Sequence, residues 1–236
     1  GLTEERLVAT ASKRIRKNRE NTDESRAYSL SEGVVALKQT TGLKFDESVD
    51  VAVNLGIDPK KSDQSVRGAV SLPHGTGSSK RVIAFVKDEA KQEAARAAGA
   101  TEVGADDLVK KVADGWTDFD VAVAAPDKMG LVGKLGKVLG PQGKMPTPKA
   151  GTVTPDVETA VREFSAGKIA FRADAGGTVH GPVGKRSFDE DKLVENVRAF
   201  VAAITALKPA SAKGAYIKKV YLTTTMGPSV LVDLES

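Results

Sequence analysis

Val49, Val51, Val53 and Leu55 alternate with smaller or polar residues, the two-residue period of a strand buried on one face. Val82-Ile83-Ala84-Phe85-Val86 and Val121-Ala122-Val123-Ala124-Ala125 are instead continuously apolar. An alanine-rich helix is predicted from Asp88 to Ala98, ended by Gly99, and another near Asp106–Ala113. Continuous apolar strands alternating with helices indicate a parallel sheet covered on both faces.

The flanking regions read differently. A basic helix is predicted over residues 3–19 and a second over 29–40, with Ser29 or Ser31 as cap and Gly42 just past its end. A short strand follows near Gly68–Leu72, and a helix runs from Thr154-Pro155 to about Ser165. Lys168–Ala173 and Thr178–Gly184 read as a hairpin around Asp174-Ala175-Gly176-Gly177. Leu193, Val197, Phe200, Val201 and Ile204 share one face of a long helix over Asp189–Leu207. Strands Ile217–Thr224 and Ser229–Leu234 close the chain, broken at Met226-Gly227-Pro228. At roughly 150 residues per domain, 236 residues make one or two domains. The fold class expected is mixed α/β and α+β: a split terminal α+β domain, 1–72 plus 159–236, with an α/β domain inserted at 73–158.

Composition narrows the chemistry. Without cysteine there is no disulfide scaffold, Cys-ligated zinc, iron–sulfur cluster or thiol nucleophile. The two histidines, His74 and His180, lie far apart, so any metal site would have to be built almost entirely from carboxylates; no metal and no cofactor are expected. No apolar run reaches 18 residues and Leu2–Arg19 is charged, so a cytoplasmic protein without membrane contact is expected. Gly1 in place of an initiator methionine suggests that a short stretch precedes it.

The net charge is only +4, but it is clustered. Residues 126–150 hold Lys128, Lys134, Lys137, Lys144 and Lys149 against Asp127 alone, together with five glycines and four prolines. Residues 208–219 carry Lys208, Lys213, Lys218 and Lys219 without an acid, and the first twenty residues carry six basic groups against three acidic ones. Such clusters suit a phosphate-bearing partner, although a solvated lysine face would look the same. In 130–152 glycines expose backbone N–H groups and lysines neutralise phosphates, and the Gly/Pro content predicts irregular structure beyond the first turns.

A nucleotide enzyme is the competing reading. His74-Gly75-Thr76-Gly77 begins like a dinucleotide fingerprint but lacks the third glycine and precedes a strand instead of following one. No Gly-Lys pair completes a P-loop, and G-x-S-x-G and H-E-x-x-H are absent. His74 has no companion nucleophile and reads as a loop hydrogen-bonder, whereas His180 is open to an RNA-facing or a structural role. A protein-binding adaptor is the third class, distinguishable by the absence of salt-dependent RNA binding.

The run Lys134–Thr154, Leu-Gly-Lys-Val-Leu-Gly-Pro-x-Gly-x-Met-Pro-x-Pro-Lys-x-Gly-Thr-Val-Thr from Leu135, resembles the signature of the family of large-subunit ribosomal protein one, found on the mobile ribosomal stalk. Lys44–Val51, Asn54–Asp58, Leu72–Gly77 and Thr223–Pro228 resemble its bacterial members in the same order. Gln142 departs from the usual arginine, and Lys144 stands where an apolar residue is common.

The resemblance implies a Rossmann-like insert without a nucleotide, no enzymatic activity, and a monomer off the ribosome. The partners it implies are large-subunit ribosomal RNA at the stalk, deacylated tRNA leaving nearby, and the protein's own mRNA, whose translation such proteins repress. It also carries over a contact surface: Lys44, Phe45 and Ser48 before and at the first strand; Lys168, His180 and Lys185 on the hairpin; Lys219, Thr225, Met226 and Gly227 on the late strand and turn. Apart from the resemblance, the lysine density of the Gly/Pro segment makes Lys134, Lys137 and Lys144 an expected secondary RNA contact. Hydroxyls and glycine N–H groups suit ribose, lysines suit phosphate, and Phe45 and Met226 can pack on a sugar or base. By residue type alone the structural reading is favoured, Phe45 as a strand-edge core residue and Met226 as a gap filler, with Gly227 readable as a turn former; the resemblance shifts Phe45 and Met226 to contact. Aromatics are only 5% of the chain, which favours recognition of folded RNA over single-strand stacking.

Overall fold

The structure, a computed structural model, describes residues 13–20, 22–23, 26–40 and 43–234. The predicted helix over 3–19 is described from Lys13 to Glu20; its earlier part, and Gly42, lie outside the described residues. Among the described residues ten strands, β1 Tyr28–Ser29, β2 Ser48–Leu55, β3 Arg67–Val70, β4 Val82–Phe85, β5 Glu102–Gly104, β6 Val121–Ala124, β7 Ile169–Arg172, β8 Thr178–Lys185, β9 Ile217–Thr224 and β10 Ser229–Asp233, are distributed over three sheets.

The chain divides into two compact units. Unit 1 takes the described residues up to Val66, then Leu72–Thr76, then Arg172 onward; unit 2 takes Arg67–Ser71 and Gly77–Phe171. These boundaries differ from the 1–72, 73–158 and 159–236 division read from the sequence.

Unit 1 is a five-stranded sheet in the order β1-β10-β9-β2-β8, antiparallel except where β1 joins β10. Its β2 alternates half-buried and buried positions along its whole length, as the sequence pattern requires. Val49, Val51, Val53, Val220, Leu222, Val230 and Val232 supply the buried side of this sheet. The helices Leu30–Lys38 and Glu190–Ala206 complete the core with Leu30, Val34, Leu37, Leu193, Val197, Phe200 and Ile204. Ser29 caps the first helix, its hydroxyl accepting from the Glu32 N–H while Glu32 reaches back to the Ser29 N–H. At Gly181 a Cβ would stand 2.6 Å from the Phe200 ring, so glycine lets the Glu190–Ala206 helix seat on β8.

Unit 2 has the parallel sheet β5-β4-β6, and successive residues of β4 face opposite cores. Val82 and Ala84 join Val157, Val161 and Phe164 of the Val157–Ser165 helix, while Ile83 and Phe85 join Leu108, Val112 and Phe119. The helix Glu89–Ala97 is capped by Asp88, and Gly99 just beyond it takes φ +103°.

Three expectations are corrected. β7 and β8 do not form a hairpin. The turn is present, with Asp174 N–H donating to the Thr178 carbonyl at 2.9 Å, but only the isolated bridge Ala173–Val179 joins its arms. β7 pairs with β3, and β8 runs along β2. A turn signature specifies local geometry, while the ladder partner is set by which faces can be buried together. For the same reason residues 159–171 leave the terminal unit: the Val157–Ser165 helix buries its apolar face in unit 2. The Gly/Pro segment also stays helical longer than expected, through the turns Met129–Val132, Gly133–Leu135 and Gly136–Leu139. Val132, Leu135 and Leu139 are buried, and this apolar stripe outweighs the glycines.

Candidate nucleic-acid interface

The start of β2, the end of β8 and the β9–β10 turn meet at one end of the unit 1 sheet. Ser48 pairs with Lys185 in the β2–β8 register, and Val49 with Thr224 in the β2–β9 register. Side-chain and backbone bonds extend this pairing beyond the strands. Lys185 Nζ donates to Ser48 Oγ at 2.8 Å, the Arg186 N–H donates to the Glu47 carbonyl at 2.8 Å, and Ser187 Oγ donates to Asp46 at 2.6 Å. The segment carrying Lys44 and Phe45 is thereby fixed although it is not a strand.

The turn is fixed from the same side. Thr225 N–H donates to the Ser48 carbonyl at 3.1 Å, and the Ser48 N–H donates to Thr225 Oγ1 at 3.1 Å. Gly227 is required by close approach, since a Cβ there would lie 2.2 Å from Thr224 Oγ1. That hydroxyl is buried and has no hydrogen-bond partner. Phe45 and Met226 remain 51% and 49% exposed, two of the three large hydrophobics exposed among the described residues. Solvent-facing apolar groups beside a half-buried lysine and a hydroxyl-bearing turn can pack on a sugar or base while bonding its backbone.

Not every residue expected at this surface joins it. Lys168, carried over from the family resemblance, lies in unit 2, where it donates to Glu163 at 2.6 Å over the Phe164 ring. His180 is on the exposed side of β8, opposite Ala52, with Nε2 3.4 Å from Asp174. Lys219 is exposed opposite Asn54, at the far end of β9 from Thr225. Between these ends Asp50, Thr223, Ala52 and Tyr221 continue the same half-buried face.

In unit 2, Lys134 and Lys137 are exposed on the helical turns, whereas Lys144 is half-buried, donating to the Thr117 carbonyl at 2.9 Å with its ammonium 5.1 Å from the Phe119 ring centre. Lys144 therefore ties its loop down and is not presented like the other two. Sequence reading missed Glu47, 1% exposed, whose Oε1 accepts the Met226 N–H at 2.9 Å, and Arg14, which donates to the Met226 carbonyl at 3.0 Å. Nothing in Lys-Phe-Asp-Glu-Ser marks the second of its two acids as buried, because the contact spans 179 positions. Among the described residues no cluster of three or more His, Asp or Glu could hold a metal, and no helix is long and apolar enough to cross a membrane.

These features make one end of the unit 1 sheet, with the loops bonded to it, a candidate binding surface. Residues 37–228 match the ribosomal protein L1p/L10e family. The chain is 54% identical over 229 residues to the large ribosomal subunit protein uL1 of Streptococcus gordonii, covering 97% of this chain and 100% of that protein. It is 52% identical over 229 residues to the uL1 protein of Cellvibrio japonicus, covering 97% and 99%. To that of Methylobacillus flagellatus it is 54% identical over 226 residues, covering 96% and 98%. The chain belongs to the ribosomal protein L1p/L10e family, whose members are structural proteins of the ribosome and not enzymes.

Proposed function

We propose that this chain is a structural RNA-binding protein of the large ribosomal subunit in the cytoplasm, and that its unit 1 holds the folded stalk region of the large ribosomal RNA. The observation that carries this is the convergence of Phe45, Ser48, Lys185, Thr225, Met226 and Gly227 on one end of one sheet. Lys44 flanks that end, and His180 and Lys219 extend the surface along the open side of the sheet. The hydroxyls, backbone N–H groups and lysines there match ribose and phosphate, and the pair of exposed apolar side chains adds contacts that salt does not screen.

The finer reading follows the same family. Unit 2 is a Rossmann-like domain inserted into the terminal domain and carries no nucleotide. Lys134 and Lys137 on its helical turns make a secondary RNA contact, and the protein works beside the exit of deacylated tRNA and assists its release. The same surface in unit 1 represses translation of the protein's own mRNA where that message folds like the stalk RNA. Off the ribosome the protein is a monomer.

The test is binding of the full chain to a stalk ribosomal-RNA fragment and to a scrambled RNA over a salt series. Preference for the stalk fragment that survives moderate salt supports the reading. Equal, steeply salt-dependent binding to both reduces the surface to a generic polycation and overturns it.

A further inference from the structure

We infer that Glu47 is a positioning residue for RNA recognition, a buried carboxylate that fixes the Met226 peptide and so aims the Thr225-Met226-Gly227 turn. This rests on the RNA-binding reading of unit 1.

The placement of Glu47 is costly in itself. A carboxylate that is 1% exposed loses its hydration, and an apolar residue of similar volume would fill the space at less expense. Its charge is compensated by Arg186, with Nη1 3.5 Å from Oε2; the other arm of the guanidinium donates to the Lys38 carbonyl at 3.0 Å. Its remaining oxygen accepts the Met226 N–H at 2.9 Å, a charge-assisted bond. Arg14 donates to the Met226 carbonyl, on the next peptide, at 3.0 Å.

Stability alone does not explain this clamp. Met226 is 49% exposed, so water could serve its N–H and carbonyl without a buried acid. What water cannot do is hold the peptide in one orientation. Glu47 adds that constraint at the point where an exposed apolar side chain must meet a partner, and a preorganised loop loses less entropy on binding. Burial and the Arg186 counter-charge also keep the carboxylate from repelling phosphate.

Two substitutions in the full chain separate positioning from charge balance. Glu47→Asp keeps the charge but withdraws the acceptor by one methylene; Glu47→Gln keeps length and acceptor but drops the charge. With the stalk ribosomal-RNA fragment as probe, Glu47→Asp is expected to weaken binding about tenfold and Glu47→Gln no more than about threefold, since a charge-assisted bond outweighs a neutral one only modestly. Amide exchange at Met226 and Gly227 should accelerate in Glu47→Asp, with Val51 and Leu222 as protected as before. The reverse ranking, faster exchange at Met226 with unchanged affinity, or a folded Glu47→Gln protein that loses tenfold or more would each overturn the inference. Should Glu47→Asp fail to fold, the Glu47→Gln arm decides alone. Wild-type protein that binds stalk and scrambled RNA equally fails the parent reading as well, and the wild-type control separates that result from loss in the variants only.

Discussion

Lys185 and Lys137 are both lysines in glycine-containing stretches, and they are held in opposite ways. Lys185 is half-buried at the end of β8, with its ammonium on the Ser48 hydroxyl and its neighbours Arg186 and Ser187 bonded to Glu47 and Asp46. Lys137 is exposed on a helical turn whose glycines, Gly130, Gly133 and Gly136, have open space where a Cβ would be. The first arrangement fixes donors relative to one another before a partner arrives, which favours a particular RNA shape. The second offers charge at no fixed angle, which favours any phosphate. Two lysines that each follow a glycine thus differ in what they can discriminate, and the difference lies in the bonds behind them.

The largest effect of breaking the fixed surface is expected at Gly227. In Gly227→Ala the new Cβ meets the buried Thr224 hydroxyl 2.2 Å away, so the turn must move. Displacing a binding loop by an ångström costs on the order of 100-fold, and stalk-RNA affinity measured by calorimetry should fall by that much. Thr224→Ala in the same chain removes the clash at little cost, because that hydroxyl has no partner, and should recover most of the loss. No recovery would mean that the glycine serves another purpose. Next in size is Thr225→Val, which deprives the Ser48 N–H of its acceptor and removes a hydroxyl from the surface. A loss of about 1–3 kcal/mol in RNA binding is expected. Unchanged affinity in a folded variant would take Thr225 out of the interface.

What could be read ahead of the structure was whatever repeats locally. The alternation of Val49, Val51, Val53 and Leu55 located β2, and the spacing of Leu193, Val197, Phe200 and Ile204 located the long helix with its buried face. Three-residue β5 escaped because Val103 is its only large apolar side chain, too little for a period. The Ile169-Ala170-Phe171-Arg172 stretch announced a strand but could not announce β3 as its partner across about a hundred residues. Pairing with β3 places Ile169–Phe171, and Lys168 before them, in unit 2, whereas the sequence division put them with the terminal stretch. The candidate site divides in the same manner. Thr225, Met226 and Gly227 were legible as a motif, while Glu47 and Arg14, which hold Met226, depend on contacts 179 and 212 positions apart.

A smaller effect concerns acid. Asp174 in unit 1 is held below the ordinary carboxylate value of 3.8 chiefly by the Thr178 N–H, with help from Gly176 and His180. In unit 2 Asp120 is lowered from the same value chiefly by the Arg81 backbone N–H. A depressed folded pKa means stability fully present above 3.8 and lost as pH falls through the lowered value. Thermal melts of Asp174→Asn should therefore lie below wild type near neutrality and converge with it in acid. The gap is expected to be small, because half-exposed carboxylates are screened. A constant gap at every pH would assign Asp174 a shape role in the turn and not an electrostatic one.

The unsupported lysines give the smallest change at physiological salt and the sharpest contrast with the fixed surface. In Lys134→Ala/Lys137→Ala, two charges leave a face where neither lysine organises anything else, so folding and the unit 1 contacts stay intact. Each phosphate contact contributes about one to the slope of log affinity against log salt. The double variant should therefore lose up to about two from that slope on a ligand reaching unit 2, and affinities should converge with wild type as salt rises. Lys144→Ala should behave differently, because its ammonium holds the Thr117 carbonyl; a lower melting temperature with an unchanged salt slope is expected. If Lys144→Ala instead lowers the slope as the other pair does, its bond to Thr117 yields to phosphate, and the distinction between fixed and free lysines fails within unit 2 itself.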